Sequence, residues 1–462
     1  MASRTSRHGF WSSRWAFILA VTGSAVGLGN IWKFPYIAGE NGGGAFVLVY
    51  LLCVFAIGLP IMMSEILLGR RGRRNPITTM ALIGEEEAGT PAWQYAGMIG
   101  VLAGALILSF YSVIAGWSLA YVFKMASGAF NNVSASGAGD IFNDLKADWE
   151  VLVAWHTAFM ALTVGVVARG VERGLEAAVR ILMPVLVLLL IGLAFYSADV
   201  GNFGAAAKFL FNFDFSRLTL EGVLIALGHA FFTLSIGMGA IMAYGAYLPA
   251  QTSIAKTSVA VVIADTFIAL LAGMVIFPLV FGFDLDPGSG PGLIFQTLPI
   301  AFGQMPGGLI FGTLFFLLLT FAAWTSSISL MEPAVAWVIE KYDQTRSAAA
   351  FWIGLVIWYV GLGAVFSFNL WKDKTAWKGT VFDNLDHVAS NLMLPIGGLV
   401  ITLFAGWVMS PNATSLELNM ASRTGYRVWR FAARYVAPIG VLFILLKSNG
   451  WLEVIEKALF GA

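Results

Sequence analysis

Eleven stretches of this chain carry almost no charge and are long enough to cross a lipid bilayer, and no other feature limits its fold so tightly. They run over about 15–38, 44–69, 92–124, 151–168, 175–198, 221–247, 255–281, 307–338, 348–369, 388–410 and 429–447. A helix needs about 20 apolar residues to cover the hydrocarbon core, and in lipid the backbone is satisfied only within helices or closed barrels. The runs are continuously apolar, without the ten-residue alternation of barrel strands, so they predict helices. The last is the weakest, with Arg430 and Arg434 in its first turns. Charged residues make up 11% of the 462 and hydrophobic ones 58%, whereas soluble domains carry about 25% charge. The chain therefore reads as an all-α integral membrane protein and not as a string of soluble domains.

Charge and side-chain chemistry remove several functions. A net charge of +1 gives no excess with which to hold nucleic acid. Cys53 is the lone cysteine, and the four histidines (His8, His156, His229, His387) are scattered, so neither a disulfide nor a metal cluster is expected. Without such a cluster, or a nucleophile paired with a base, the chain does not read as an enzyme. No Gly-x-x-x-x-Gly-Lys-Ser/Thr loop occurs, so energy from nucleotide hydrolysis is not expected. The basic start runs into the first apolar stretch with no Ala-x-Ala site, and no cleaved signal is expected.

Lys and Arg in short loops set orientation. An inside N-terminus collects Arg4, Arg7, Arg14, the run Arg70 to Arg74, Arg169, Arg173, Arg180, Lys341, Arg346 and Arg423 to Arg434 on one side, with Lys372, Lys374 and Lys378 as exceptions. A multi-pass plasma (inner) membrane protein is expected, with the N-terminus cytoplasmic and, after an odd number of spans, the C-terminus extracellular or periplasmic.

The first run contains GSAVGLGN (Gly23 to Asn30) and the sixth FTLSIGMG (Phe232 to Gly239). Glycines inside a membrane helix serve close packing or mark a break. Gly-x-Gly at matching places five spans apart, in helices running in opposite directions, fits an inverted repeat with two discontinuous helices whose freed ends bind charged groups. The chemistry of one further residue agrees. Asp265 lies deep in the seventh run with no lysine or arginine near it in the span, where a charge costs on the order of 3 kcal/mol. It reads as a cation ligand, or else as a carboxylate held by other buried polar groups. Thr325 and Ser326 sit in a charge-free run from about Pro287 to Met331. They either back-bond to their own helix or face the break.

The segments GSAVGLGNIWKFPYIAGENGGGAF, FFTLSIGMGAIMAYGAY and FAAWTSSISLMEP resemble the neurotransmitter:sodium symporter family, in its bacterial amino-acid branch, and the likeness runs from Trp11 to about Arg434. It implies the leucine-transporter fold, with 11 transmembrane helices, a 5+5 inverted repeat and broken helices 1 and 6. The divisions expected are a tail and inner gate over 1–14, a first repeat over 15–198, an extracellular loop over 199–220, a second repeat over 221–410, a cytoplasmic loop over 411–428, and the last span with the C-terminus over 429–462.

By the same resemblance, one sodium ion is held by the Ala25 carbonyl, Asn30, Thr233 and Asp265. A second takes the carbonyls of Gly23, Val26 and Ala322 with the hydroxyls of Thr325 and Ser326. Asp265 occupies a position often filled by asparagine in chloride-binding members, so no chloride requirement is expected. Gly27 stands where monoamine carriers have aspartate, which favours an amino acid whose carboxylate meets the amides at Gly27 and Gly29 and the Tyr111 hydroxyl. Its amino group would meet carbonyls near Ala25, Phe232, Thr233 and Ser235, with Tyr111 and Phe232 closing over it. Ile107, Ser235, Met238, Ser326 and Leu330 would select the side chain. None carries charge, and burial at roughly 25 cal/mol per Å² favours an apolar one; Met238 is either an adaptable wall or simple packing.

Lys33 and Asp386 match the outer gate, with lysine where the family usually has arginine. Trp11, Tyr247 and Glu340 match the inner gate. The arginine that partners it falls at His8 here, leaving Arg7 or Arg4 as substitutes. His229 replaces a glutamine, with proton coupling as a minor possibility, and Glu65 and Glu332 read as hydrogen-bonded structural groups. The expectation is a sodium-coupled symporter of a hydrophobic or aromatic amino acid working by alternating access in the lipid bilayer. The alternatives are a carrier of a small zwitterion (glycine, taurine, betaine or GABA type) and an ion channel, which would need a continuous polar pore.

Overall fold

The computed structural model describes residues 4–6, 9–420, 422–452, 454 and 457, and the described residues form an all-helical bundle. Among the described residues nine continuous helices are long and apolar enough to span a membrane: Gly44–Gly72, Pro91–Ala126, Trp149–Val167, Val171–Val200, Ile254–Gly282, Gly308–Tyr342, Arg346–Phe366, Val381–Val408 and Arg423–Ser448. These are spans 2 to 5 and 7 to 11. Span 1 is a bent pair, Arg14–Ala25 with Gly29–Glu40 at 50°. Span 6 is split into Leu220–Thr233 and Ala240–Ala246.

Local sequence explains the ends. Ser13 starts span 1 by accepting the Ala16 N–H, and Asp148 and Thr345 cap spans 4 and 9 in the same way. Such caps satisfy N–H groups that a helix start leaves free. Thr380 and Asp383 form a reciprocal capping box on span 10, which begins seven residues earlier than its apolar run suggested.

The breaks have distinct causes. At Val26 the backbone turns extended (ψ 104°), and the helix restarts where the Gly27 carbonyl accepts from the Asn30 and Ile31 amides at 3.2 and 3.3 Å. In span 6 three left-handed residues, Ser235, Gly237 and Gly239 (φ 53°, 81° and 73°), stop the helix. Gly237 is required twice over, because a Cβ there would also lie 2.5 Å from the Leu394 carbonyl. Ser235 Oγ donates to the Ser24 carbonyl at 2.8 Å and joins the two breaks. The long spans 3 and 8 pack against each other beside this junction, so the irregular backbone is enclosed in protein, where its freed polar groups are tolerated.

A candidate ligand and ion site at the two helix breaks

The breaks enclose a cavity lined by Ser24, Ala25, Gly27 and Gly29 from span 1, Ile107 and Tyr111 from span 3, Phe232, Ser235 and Met238 from span 6, and Ser326 and Leu330 from span 8. Every residue expected to touch a ligand is here except Thr233, and Ser24 is an addition. No charged side chain contributes. Leu28 N–H donates to the Tyr111 hydroxyl at 3.2 Å, and Cβ atoms at Gly27 and Gly29 would crowd Tyr111 Oη at 2.8 Å and the Phe232 ring at 3.2 Å. The cavity is tight, about 20 Å³, little more than one water occupies. A ligand much larger than a water therefore requires lining side chains to move apart.

Two oxygen-rich clusters flank the cavity. In the first, Asp265 is wholly buried and accepts from Asn30 Nδ2 at 2.8 Å and Thr233 Oγ1 at 3.1 Å. No cationic side chain pairs with it among the described residues. Asn30 Oδ1 accepts the Gly27 N–H at 3.1 Å and keeps a second lone pair. Thr233, outside the cavity wall, thus belongs to this carboxylate. In the second cluster Ser326 Oγ lies 3.1–3.4 Å from the carbonyls of Gly23, Ser24 and Val26. Thr325 Oγ1 donates to the Ala322 carbonyl at 3.0 Å, back-bonding as a mid-helix threonine does. Ser24, unforeseen, offers a carbonyl shared by Ser235 and Ser326, and its hydroxyl bonds Ser329 at 2.7 Å.

On one side of the cavity lies a vestibule of about 430 Å³, and Tyr111 and Phe232 line both spaces, forming the partition between them. Lys33 and Asp386 face this vestibule, but they are not paired. Lys33 Nζ sits 4.7 Å over the Phe232 ring, and Asp386 accepts from Ser390 Oγ at 2.7 Å. A lysine lacks the planar fork that clasps a carboxylate, and a ring face attracts its ammonium. His229 is buried against Phe34 and Tyr50, with no hydrogen-bond partner at either ring nitrogen among the described residues.

The opposite, arginine-rich end is closed. Trp11 N–H donates to the Tyr247 carbonyl at 3.0 Å and its indole N–H to the Tyr244 carbonyl at 3.1 Å. The Tyr247 hydroxyl donates to Glu332 Oε1 at 2.8 Å, and Arg346 pairs with the other Glu332 oxygen. Glu340 accepts from the Asn75 backbone and side chain at 2.9 and 2.7 Å. His8 and Arg7 lie outside the described residues, and Arg4 pairs with Glu86. Glu65 holds the span 6 break by accepting the Gly237 N–H at 2.6 Å. Sequence reasoning missed Arg346 as the partner of Glu332, and also Glu176, which accepts the Ser12 N–H at 3.0 Å and pairs with Arg180 at 2.6 Å.

Removing one partner of a buried ion pair costs about 3–5 kcal/mol. Arg346→Met is therefore expected to lower the melting temperature in detergent by several degrees. Adding Glu332→Gln, which removes the stranded charge, should recover part of the loss; a double variant less stable than the single one would rule out the pair as the cause.

Comparison with known proteins places this geometry. The model of the sodium:neurotransmitter symporter family matches residues 8–136 and 140–455. The chain is 38% identical over 446 residues to YhdH, an uncharacterised sodium-dependent transporter of Bacillus subtilis, covering 96% of this chain and 98% of that one. It is 24% identical over 513 residues to the sodium- and chloride-dependent GABA transporter 2 of Homo sapiens, covering 96% and 81%. Among solved structures, MhsT in complex with L-phenylalanine superposes with a TM-score of 0.88 at 41% identity, covering 95% of this chain and 99% of that one. The bundle accordingly has the leucine-transporter fold, an inverted repeat of five plus five spans followed by an eleventh.

Proposed function

The chain belongs to the sodium:neurotransmitter symporter family, a family of sodium-dependent transporters, and on that footing we propose that it imports a neutral hydrophobic or aromatic L-amino acid with two sodium ions and without chloride. One observation carries this reading: an uncharged cavity at two helix breaks with an oxygen cluster on each side. The backbone at Gly27 and Gly29, with the Tyr111 hydroxyl, receives the substrate carboxylate. Carbonyls at Ala25, Phe232, Thr233 and Ser235 receive the amino group, and Ile107, Ser235, Met238, Ser326 and Leu330 select the side chain. One sodium ion joins Ala25, Asn30, Thr233 and Asp265, and the other joins Gly23, Val26, Ala322, Thr325 and Ser326.

Two cations and a zwitterion bring a surplus of positive charge into a dry site, and the Asp265 carboxylate supplies the counter-charge that chloride would otherwise bring. The vestibule faces outward, and Trp11, Tyr247 and Glu340 close the cytoplasmic end. Occlusion by Tyr111 and Phe232 precedes rocking and release on that side, with Lys33 and Asp386 tuning access from outside. The N-terminus is cytoplasmic, the C-terminus lies on the far side, and the membrane is the plasma membrane. Each sodium charge moved inward across 100 mV supplies about 2.3 kcal/mol, so two support roughly thousandfold accumulation.

The resemblance to a structure holding L-phenylalanine supports the substrate class. The tightness of the cavity favours the second reading, a small zwitterion, and one panel decides between them. In sodium-driven uptake, leucine, tryptophan and tyrosine are expected to displace labelled phenylalanine, with rates unchanged when gluconate replaces chloride. Displacement by glycine, taurine or GABA alone would install the second reading, and collapse in gluconate would overturn chloride independence.

A further inference from the structure

Span 3 presents two adjacent stripes. Ile107 and Tyr111, one turn apart, face the cavity, while Leu108, Ser112 and Gly116, each one position further on, lie about a quarter-turn round the same helix. The second stripe meets span 4 at His156. A Cβ on Gly116 would lie 3.2 Å from His156 N, and one on Gly361 of span 9 would lie 2.7 Å from His156 Nε2 and 2.6 Å from the Ser109 carbonyl. Three helices thus converge on one imidazole, which is wholly buried.

Both ring nitrogens are engaged. Nε2 lies 3.1 Å from the Trp358 carbonyl of span 9 and Nδ1 lies 3.0 Å from Ser112 Oγ. A carbonyl only accepts, so Nε2 carries the hydrogen and Nδ1 accepts from the Ser112 hydroxyl. That hydroxyl has a single proton and is also in reach of the Leu108 carbonyl of its own helix at 2.8 Å. Giving it to His156 ties span 3 to its neighbours at the residue next to Tyr111. The ring also stacks on Trp358 at 6.3 Å and 7°. The bond adds a directional tie between spans 3 and 4 to the close contacts already made at Gly116 and Gly361.

We propose that His156 is a positioning residue for Tyr111: by pinning Ser112 it sets the rotation of span 3 and so holds the Tyr111 hydroxyl at the ligand site. The bond from Leu28 N–H to Tyr111 is already 3.2 Å long, at the far edge of useful N–H···O geometry. A displacement of about 1 Å at the hydroxyl breaks it and moves a group given to the substrate carboxylate. The inference rests on the role given to Tyr111 in the proposed function.

The test is a double-variant cycle in reconstituted full-length protein, reading KM and maximal rate for L-phenylalanine together with the melting shift caused by sodium alone. His156→Phe, which keeps the ring and loses both bonds, is expected to raise KM about tenfold while leaving the maximal rate and the sodium shift unchanged. Ser112→Ala should do the same. His156→Gln, able to donate and accept, should return KM to within about threefold of the parent. In a Tyr111→Phe background the His156 change should add nothing. Full additivity there, an unchanged KM in His156→Phe while Tyr111→Phe is impaired, or equal loss of rate and sodium shift would each overturn the positioning role. An unimpaired Tyr111→Phe would instead remove the reading of Tyr111 itself, and this inference with it.

Discussion

Asp265→Ala is expected to abolish sodium-driven uptake, leaving about 1% or less of the parent rate, and to erase the melting shift that sodium alone produces. The carboxylate is wholly buried, with hydrogen bonds from Asn30 and Thr233. Two unit charges about 4 Å apart attract by about 4 kcal/mol at an effective dielectric near 20, worth about a thousandfold in cation affinity. Stability without sodium separates the two possible roles. A buried carboxylate without a cation is costly, so the alanine variant should melt in choline buffer no lower than the parent. A purely structural carboxylate would make it melt lower in both buffers. Asp265→Asn keeps an oxygen and loses the charge. It should raise the sodium half-saturation about a hundredfold, and chloride should then stimulate uptake.

Gly27→Ala carries the second large effect. Away from strain, alanine in place of glycine stabilises by about 0.4–1 kcal/mol through the unfolded state. Here the new methyl collides with Ser326 Oγ and lies 2.8 Å from Tyr111 Oη, and overpacking of this kind costs about 1–3 kcal/mol. The clash outweighs the gain, and the atoms that must retreat are the ones given to the substrate carboxylate and the second sodium ion. Uptake is expected to fall at least a hundredfold and amino-acid binding with it, measured as equilibrium binding of labelled phenylalanine. Gly29→Ala presses at 3.2 Å on the Phe232 ring, which borders the open vestibule, and should cost about tenfold less.

How much of this could be read in the chain depends on the range over which each interaction acts. Apolar runs marked the spans to within a few residues: 92–124 became Pro91–Ala126, and 255–281 became Ile254–Gly282. Span 11 starts at Arg423 rather than about 429, and the main misplacement was span 10, which starts at Val381 rather than about 388. Asp383 and Asp386 made its first turns look like loop, although an acidic residue in a capping box is a start signal. Gly-x-Gly located both breaks, but the left-handed Ser235 carries no composition signal. All but one of the residues the resemblance assigns to the ligand line a single cavity, because the backbone breaks hold them there locally. The resemblance matches Lys33 to Asp386, and in the structure the Lys33 ammonium lies over the Phe232 ring. Glu332 with Arg346, Ser12 with Glu176, and Ser112 with His156 join segments 14, 164 and 44 residues apart, and only the packed bundle brings them together.

The central claim is that sodium entry drives the accumulation of an amino acid. The direct measurement is uptake of labelled L-phenylalanine into proteoliposomes under an inward sodium gradient and an inside-negative potential. Accumulation above the external concentration, exchange with unlabelled substrate on the far side, and release when the gradient is dissipated are expected. Filling only to equality, unchanged when potassium replaces sodium, would contradict that claim.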